Sequence, residues 1–104
     1  MGKLKMQVTT QTLRVLGALV SSADEISGAD IARSTELASG TLYPILARLE
    51  KSKWIQSRWE EGDPHELGRP RRRLYKITAL GARKARQAVN AVTVSFGRSA
   101  WELS

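Results

Sequence analysis

Two clusters of side chains in this sequence can do chemistry, and both suit an anionic partner. The denser is Arg69-Pro70-Arg71-Arg72-Arg73, followed by Lys76. Guanidinium groups are permanently charged, planar donors that pair with phosphate oxygens or enter a narrow minor groove. From Arg69 to Arg98 the chain carries nine Lys or Arg and no acid. The other cluster is Ser39-Gly40-Thr41-Leu42-Tyr43-Pro44-Ile45-Leu46-Ala47-Arg48-Leu49-Glu50-Lys51. On a helix starting just after Ser39 as its N-cap, Leu42, Ile45, Leu46 and Leu49 share one face. Gly40, Thr41, Pro44, Ala47, Arg48 and Lys51 fall on the other. That second face is small at its start and basic toward its end, which suits close approach to something negatively charged. An ordinary solvated amphipathic helix would carry the same apolar stripe, so the flanking elements decide.

Other chemistries find few residues. With no cysteine, disulfides, thiol catalysis and thiolate metal sites are excluded. His65 stands alone in a Gly/Pro-rich loop with no second ligand beside it, so neither a metal nor a cofactor is expected. No Ser/His/Asp set or phosphate-cradling glycine loop is present, which argues against an enzyme.

The 104 residues suit one domain, and a hydrophobic content of 41% suits a folded one. Seventeen Lys or Arg against ten acids give a net charge of +7, which favours nucleic acid over a membrane surface. No apolar run approaches the ~20 residues of a membrane span. The N-terminus has two lysines but no apolar core behind them, so no signal peptide is read there, and a cytoplasmic location is the default.

These clusters need elements to hold them. Residues 1–8 read as a short arm, and Thr9 or Thr10 caps a first helix with Leu13, Leu16, Leu19 and Val20 on its face, Val15 and Ala18 beside them. Ser27 followed by Asp30 resembles a capping box opening a short helix from about Gly28 to Arg33 or Ser34. A four-residue turn anchored by Leu37 leads into the Ser39 helix, completing a helix-turn-helix. Pro44, inside that helix, predicts a loosened first turn and a flat apolar surface for a thymine methyl. Ile55–Trp59 alternates as a strand, 60–70 reads as a loop broken by two glycines and two prolines, and 72–77 reads as a second strand. Trp54 and Trp59 read as core and hairpin packing. Thr78 caps a last helix in which Ala82, Ala85, Val89, Val92 and Phe96 are spaced as an a/d seam, the pattern of a helix that packs on a partner. Gly97 is expected to end it, leaving a tail with Trp101. The fold class is therefore mainly α with a two-stranded β wing, with residues 1–78 as a winged helix-turn-helix DNA-binding domain and 79–104 as a dimerisation helix and tail.

Three blocks, in order, resemble the PadR family of bacterial transcriptional regulators. They are Ser39-Gly40-Thr41-Leu42-Tyr43-Pro44 with Leu46 and Arg48-Leu49-Glu50, Trp54-Ile55 with Trp59-Glu60, and Gly68-Arg69-Pro70-Arg71-Arg72-Arg73 through Tyr75, Ile77-Thr78 and Gly81. The resemblance implies a winged helix-turn-helix homodimer that binds palindromic operator DNA, usually as a repressor, and is released by a small aromatic effector. The short C-terminal segment resembles the subgroup with one dimerisation helix. Two departures are Lys53, where a glycine is common, and Leu74, where a tyrosine is frequent. The DNA-contacting set is then Ser39, Gly40, Thr41, Tyr43, Pro44, Arg48, Lys51, Arg69, Arg71, Arg72 and Arg73, with dimerisation through Ala85, Val89, Val92 and Phe96. Tyr43 reaches a phosphate or packs sideways into the core, and Arg48 contacts phosphate or pairs with Glu50 or Glu36. The acids Glu60, Glu61, Asp63 and Glu66 fold back on the arginines or repel DNA at the wing tip. Trp101 is an aromatic ligand platform or a packing anchor. The competing function is a sequence-neutral architectural DNA- or RNA-binding protein.

Overall fold

The computed structural model describes the backbone of residues 8–22 and 24–103, and side chains as far as Ala91. The element order is α1 (Thr10–Ser21), β1 (Ile26–Ser27), α2 (Gly28–Thr35), α3 (Ser39–Lys51), β2 (Ile55–Trp59), α4 (Pro64–Leu67), β3 (Arg73–Ile77) and α5 (Ala79–Leu103).

The helices begin where capping chemistry allows. Thr9 accepts from the Thr12 N–H at 3.1 Å, and Ser27 accepts from the Asp30 N–H at 3.1 Å. Each satisfies one of the donors left over at a helix start. Asp30 turns to Arg33 at 2.8 Å, complementing the dipole of its own first turn. The α3 start differs from expectation. Ser39 lies inside the helix, and Ala38 is the cap, with no side-chain bond. The Ala38 carbonyl instead accepts from both Thr41 and Leu42, at 3.0 and 2.9 Å.

Pro44 does not interrupt α3, which is helical throughout. Leu42, Ile45, Leu46 and Leu49 are all buried on its apolar side. Four such burials, at about 2 kcal/mol each, outweigh the ~3 kcal/mol of an internal proline. The Gly40 carbonyl, which loses its i+4 donor to Pro44, belongs to an exposed residue where water can replace that donor. The core joins these side chains to Val15, Leu16 and Leu19 of α1, Ile31 of α2, Trp54, Ile55, Tyr75 and Ala85. On α1 the buried face is rotated from the one the apolar spacing suggested. Val15 is fully buried, Leu13 only partly, and Val20 is 54% exposed.

The sheet has three strands, not two, in the order β1-β3-β2 and antiparallel throughout. The missed strand is two residues long, too short for alternation to register, and its Ser27 doubles as the cap of α2. The register of β2 on β3 is Ile55↔Ile77, Ser57↔Tyr75, Trp59↔Arg73. The connecting segment is not wholly irregular. Asp63 accepts from the His65 N–H, Pro64 occupies the first turn, and Gly68 closes α4 at φ 72°. Proline at the start and glycine just past the end are a legible helix signature that the breaker residues concealed.

The end of α3 is a Schellman motif. Lys53 N–H donates to the Glu50 carbonyl and Trp54 N–H to the Leu49 carbonyl, both at 3.0 Å. Trp54 and Leu49 meet in the core beneath it. This motif needs a left-handed residue, and Lys53 holds φ 68°. Thr78 then joins α5 to the same place. Its N–H donates to the Trp54 carbonyl at 2.9 Å, and its hydroxyl accepts from the Gly81 N–H at 3.0 Å. A Cβ on Gly81 would overlap the Trp54 carbonyl oxygen, so only glycine lets α5 come this close. Gly97 does not end α5, which continues to Leu103, so the expected tail is helical. The side chains of Val92, Phe96 and Trp101 lie outside the described residues, as does the expected arm apart from Val8, which packs on the core.

Lys53→Gly is expected to stabilise the protein by about 0.5–1 kcal/mol. Relief of the left-handed strain, ~1–2 kcal/mol, exceeds the entropic cost of glycine, ~0.5–1 kcal/mol. The check is the denaturant midpoint at unchanged m-value, and a lower midpoint contradicts it.

Candidate nucleic-acid interface

The polar side of α3 is open. Ser39, Gly40, Pro44, Ala47, Arg48 and Lys51 are exposed and Thr41 is half-buried. Arg48 forms no ion pair with Glu36 or Glu50 among the described residues. Glu50 instead accepts from the Ser57 hydroxyl at 2.7 Å, which ties α3 to β2. Gly40 is informative because nothing in the fold calls for it. Its φ is not positive, and a Cβ there would meet no atom within 4 Å. A helical glycine costs about 1 kcal/mol against alanine, and among the described residues its smallness serves no contact.

Tyr43 does not enter the core. It is 44% exposed and its ring lies against Gly28 at the start of α2. A groove of about 470 Å³ separates this point from the hairpin, lined among others by Ser27, Gly28, Tyr43, Arg71, Arg72 and Tyr75. Elements distant in sequence thus bring Tyr43 of α3 and the arginines before β3 to one groove. Burial pushes the Tyr75 phenol above the usual tyrosine value, and nearby Tyr43 pushes the same way.

The wing divides its charges. Glu60 receives Arg69 in a two-pronged pair at 2.6 and 2.9 Å and accepts from the Arg72 N–H at 3.3 Å. One acid of the loop therefore folds back, and it does so on Arg69. This partly buried pair makes Arg69 a brace of the wing in the free protein. Arg71 donates to the Gly62 carbonyl at 2.7 Å. Arg71 and Arg72 are exposed, and Arg73 stacks over the Trp59 ring at 5.1 Å. Trp59 is 58% exposed, so it serves as a platform for arginine and not as core. On the opposite flank Glu25 pairs twice with Arg58 at 2.6 Å, and Lys76 lies 3.4 Å from Asp24. Glu25 and Gly28 carried no signal of their role in sequence, because each acts through a partner many positions away, whereas Glu60 is one of the acids read as folding back on the arginines.

On the α1/α5 side, Leu13, Leu16, Gly17, Val20, Ala82, Ala85 and Val89 line a shallow apolar groove. Ala85 faces its own core, whereas Val89 is 52% exposed. Among the described residues no group of His, Cys, Asp or Glu could hold a metal, and no helix is long and apolar enough to cross a membrane.

Comparison with known proteins agrees with this architecture. The family model described as "Transcriptional regulator PadR-like family" matches residues 19–87. No curated protein matches the chain. Among solved structures, a PadR family transcriptional regulator from Eggerthella lenta is 23% identical over 86% of this chain and 80% of that one, with a TM-score of 0.69. A mutant MarR from E. coli is 20% identical, with 94% and 65% covered and a TM-score of 0.73. Bacillus subtilis PadR in complex with operator DNA is 19% identical, with 80% and 48% covered and a TM-score of 0.65.

The Arg69 guanidinium, with the Arg72 N–H, holds the Glu60 carboxyl at about 2, against an ordinary 4.5. The bound value is the lower one, so the stabilisation from this pair is complete above pH 4.5 and is lost as pH falls through about 2. A carboxyl-detected NMR titration should give Glu60 a midpoint near that lower value, with the Arg72 amide following it. A midpoint in the ordinary glutamate range means the pair is not held in solution.

Proposed function

Because the chain belongs to the transcriptional regulator PadR-like family, we propose that it represses transcription by binding a palindromic operator as a homodimer. Residues 1–78 form the DNA-binding domain in this reading and 79–104 the dimerisation helix. The start of α3 enters the major groove. Ser39 and Thr41 bond base edges or phosphates, Gly40 and Pro44 allow the close approach, and Tyr43 reaches a phosphate. Arg48 and Lys51 contact the flanking backbone, and Arg71, Arg72 and Arg73 grip the adjoining strand from the wing. Arg69 joins them by exchanging Glu60 for a phosphate.

The observation that carries this reading is Gly40, a helical glycine that no contact among the described residues calls for, on a surface whose neighbours are small or basic. A protein-interaction module gains nothing from that economy, whereas a helix lying in a groove does. Release by a small aromatic ligand is supported by the resemblance alone.

Selection from a random duplex pool tests the reading. A repressor enriches one pseudo-palindromic sequence and binds it at least ~10³-fold tighter than random DNA at physiological salt. Equal binding to all duplexes, with a steep salt slope, assigns the chain to the sequence-neutral architectural class. Arg72→Ala is expected to weaken binding to all sequences alike and to reduce the salt slope by about 1.

The dimer is supported by the apolar groove between α1 and α5, with Val20 and Val89 exposed beside it. Val89→Asp puts a charge into that surface and should shift sedimentation to monomer while the free-protein fold persists. A variant still dimeric removes this surface from the interface.

A further inference from the structure

We propose that Gly28 is a positioning residue for DNA binding. By carrying no side chain it lets the Tyr43 ring lie across the first turn of α2, which fixes where the phenol is offered to DNA. The inference rests on the reading of Tyr43 as a DNA contact.

The fit between the two residues is close. A Cβ on Gly28 would fall 2.6 Å from the Tyr43 hydroxyl oxygen, 3.2 Å from its Cε1 and 3.3 Å from its Cζ. Real side chains do not approach that closely, so any other residue at 28 moves the ring. The backbone itself makes no demand for glycine. Gly28 is the first residue of a right-handed helix capped by Ser27, and its φ is not positive. Alanine would favour that helix, so only the space used by Tyr43 accounts for glycine here.

Tyr43 is 44% exposed. It projects from the exposed side of α3, fifteen residues downstream. Contact with Gly28 selects one of its rotamers before DNA arrives, which removes that ordering cost from binding. The selected rotamer puts the phenol in the groove that Arg71 and Arg72 also line. The Tyr75 side chain, 7% exposed and with no hydrogen bond to a described residue, opens on the same groove. Two exposed arginines and two phenols thus line one groove, and the conformation of the more exposed phenol is set from α2.

A double-mutant cycle, read on the selected duplex and on the free protein, tests this. Tyr43→Ala should weaken binding about tenfold, as loss of one phosphate contact does. Gly28→Ala should weaken it about fivefold, while its thermal midpoint stays level or rises. In the Tyr43→Ala background, Gly28→Ala should change affinity less than twofold. Nuclear Overhauser contacts between the Tyr43 ring and the Gly28 α-protons should be present in the free protein. Unchanged affinity in Gly28→Ala overturns the inference. So does a loss that persists undiminished without Tyr43, because Gly28 then acts by packing or by its own backbone. If Tyr43→Ala binds normally, Tyr43 is no DNA contact and the inference fails. Sequence-selective binding by the unaltered protein would still leave the wider reading standing.

Discussion

The backbone at Trp54 is the constraint on which the rest of this structure depends. Its N–H closes the Schellman end of α3 on the Leu49 carbonyl. Its carbonyl receives the Thr78 N–H, and Gly81 packs over that carbonyl without a side chain. Strand β2 begins one residue later and pairs Ile55 with Ile77, the residue before Thr78. The end of α3, the open end of the hairpin and the start of the long helix therefore meet at one residue. The wing is not slung from a flexible linker, and its angle to α3 is set by hydrogen bonds that also begin α5. This requirement accounts for Thr78, which caps with its hydroxyl, for Gly81, which yields space, and for the left-handed turn at Lys53.

Charge is apportioned around that frame. Arg33, Arg58, Arg69 and Lys76 each face an acid. Exposed pairs of this kind contribute little to stability, typically 0–1 kcal/mol, so their use lies in holding orientation. Arg48, Lys51, Arg71, Arg72 and Arg73 have no acid partner among the described residues. The pairs at Arg58, Arg69 and Lys76 tie down the approach to β1, the wing loop and the sheet, and these five cations border the polar face of α3 and the groove beside it, while Arg14, Lys53, Arg83, Lys84 and Arg86 elsewhere likewise have no acid partner among the described residues. A net charge of +7 is a weak statement about function, and the grouping of these five cations on one surface adds to it.

Much of this was legible in the sequence because it is local. The apolar stripe Leu42–Leu49, the caps at Thr9, Ser27 and Thr78 and the two strands of the hairpin follow from spacing within a few residues, and the departure at Lys53 came from the family resemblance. What escaped needed a partner from elsewhere in the chain. Two-residue β1 exists only because β3 offers it an edge. Val15 displaces Val20 from the core because α2 and α3 meet α1 on that side. The α4 turn was masked by the same proline and glycine that form it. Among the site residues, the polar face of α3 and the exposed arginines stood out by composition, whereas the Glu60–Arg69 brace, the Arg73–Trp59 stack and the Gly28–Tyr43 contact join positions 9 to 15 residues apart. Periodicity carries no information about such pairs.

The two ends of α5 face different demands. Near its start Leu80 and Ala85 pack on the core, and Ala82 and Val89 border the groove shared with α1. A helix of 25 residues is about 37 Å long, and among the described residues its main helical neighbour is α1, near its start. Helices without tertiary packing are marginal in water, so a helix running on to Leu103 implies a surface that covers it. In the proposed homodimer a second copy would meet that need. A twofold axis presents the same α1/α5 groove to itself, so each exposed valine meets apolar surface without a new complementary patch. In the proposed dimer the same axis would set the spacing of the two α3 helices on one duplex, so that covering the apolar groove and reading a palindrome would be one geometric problem.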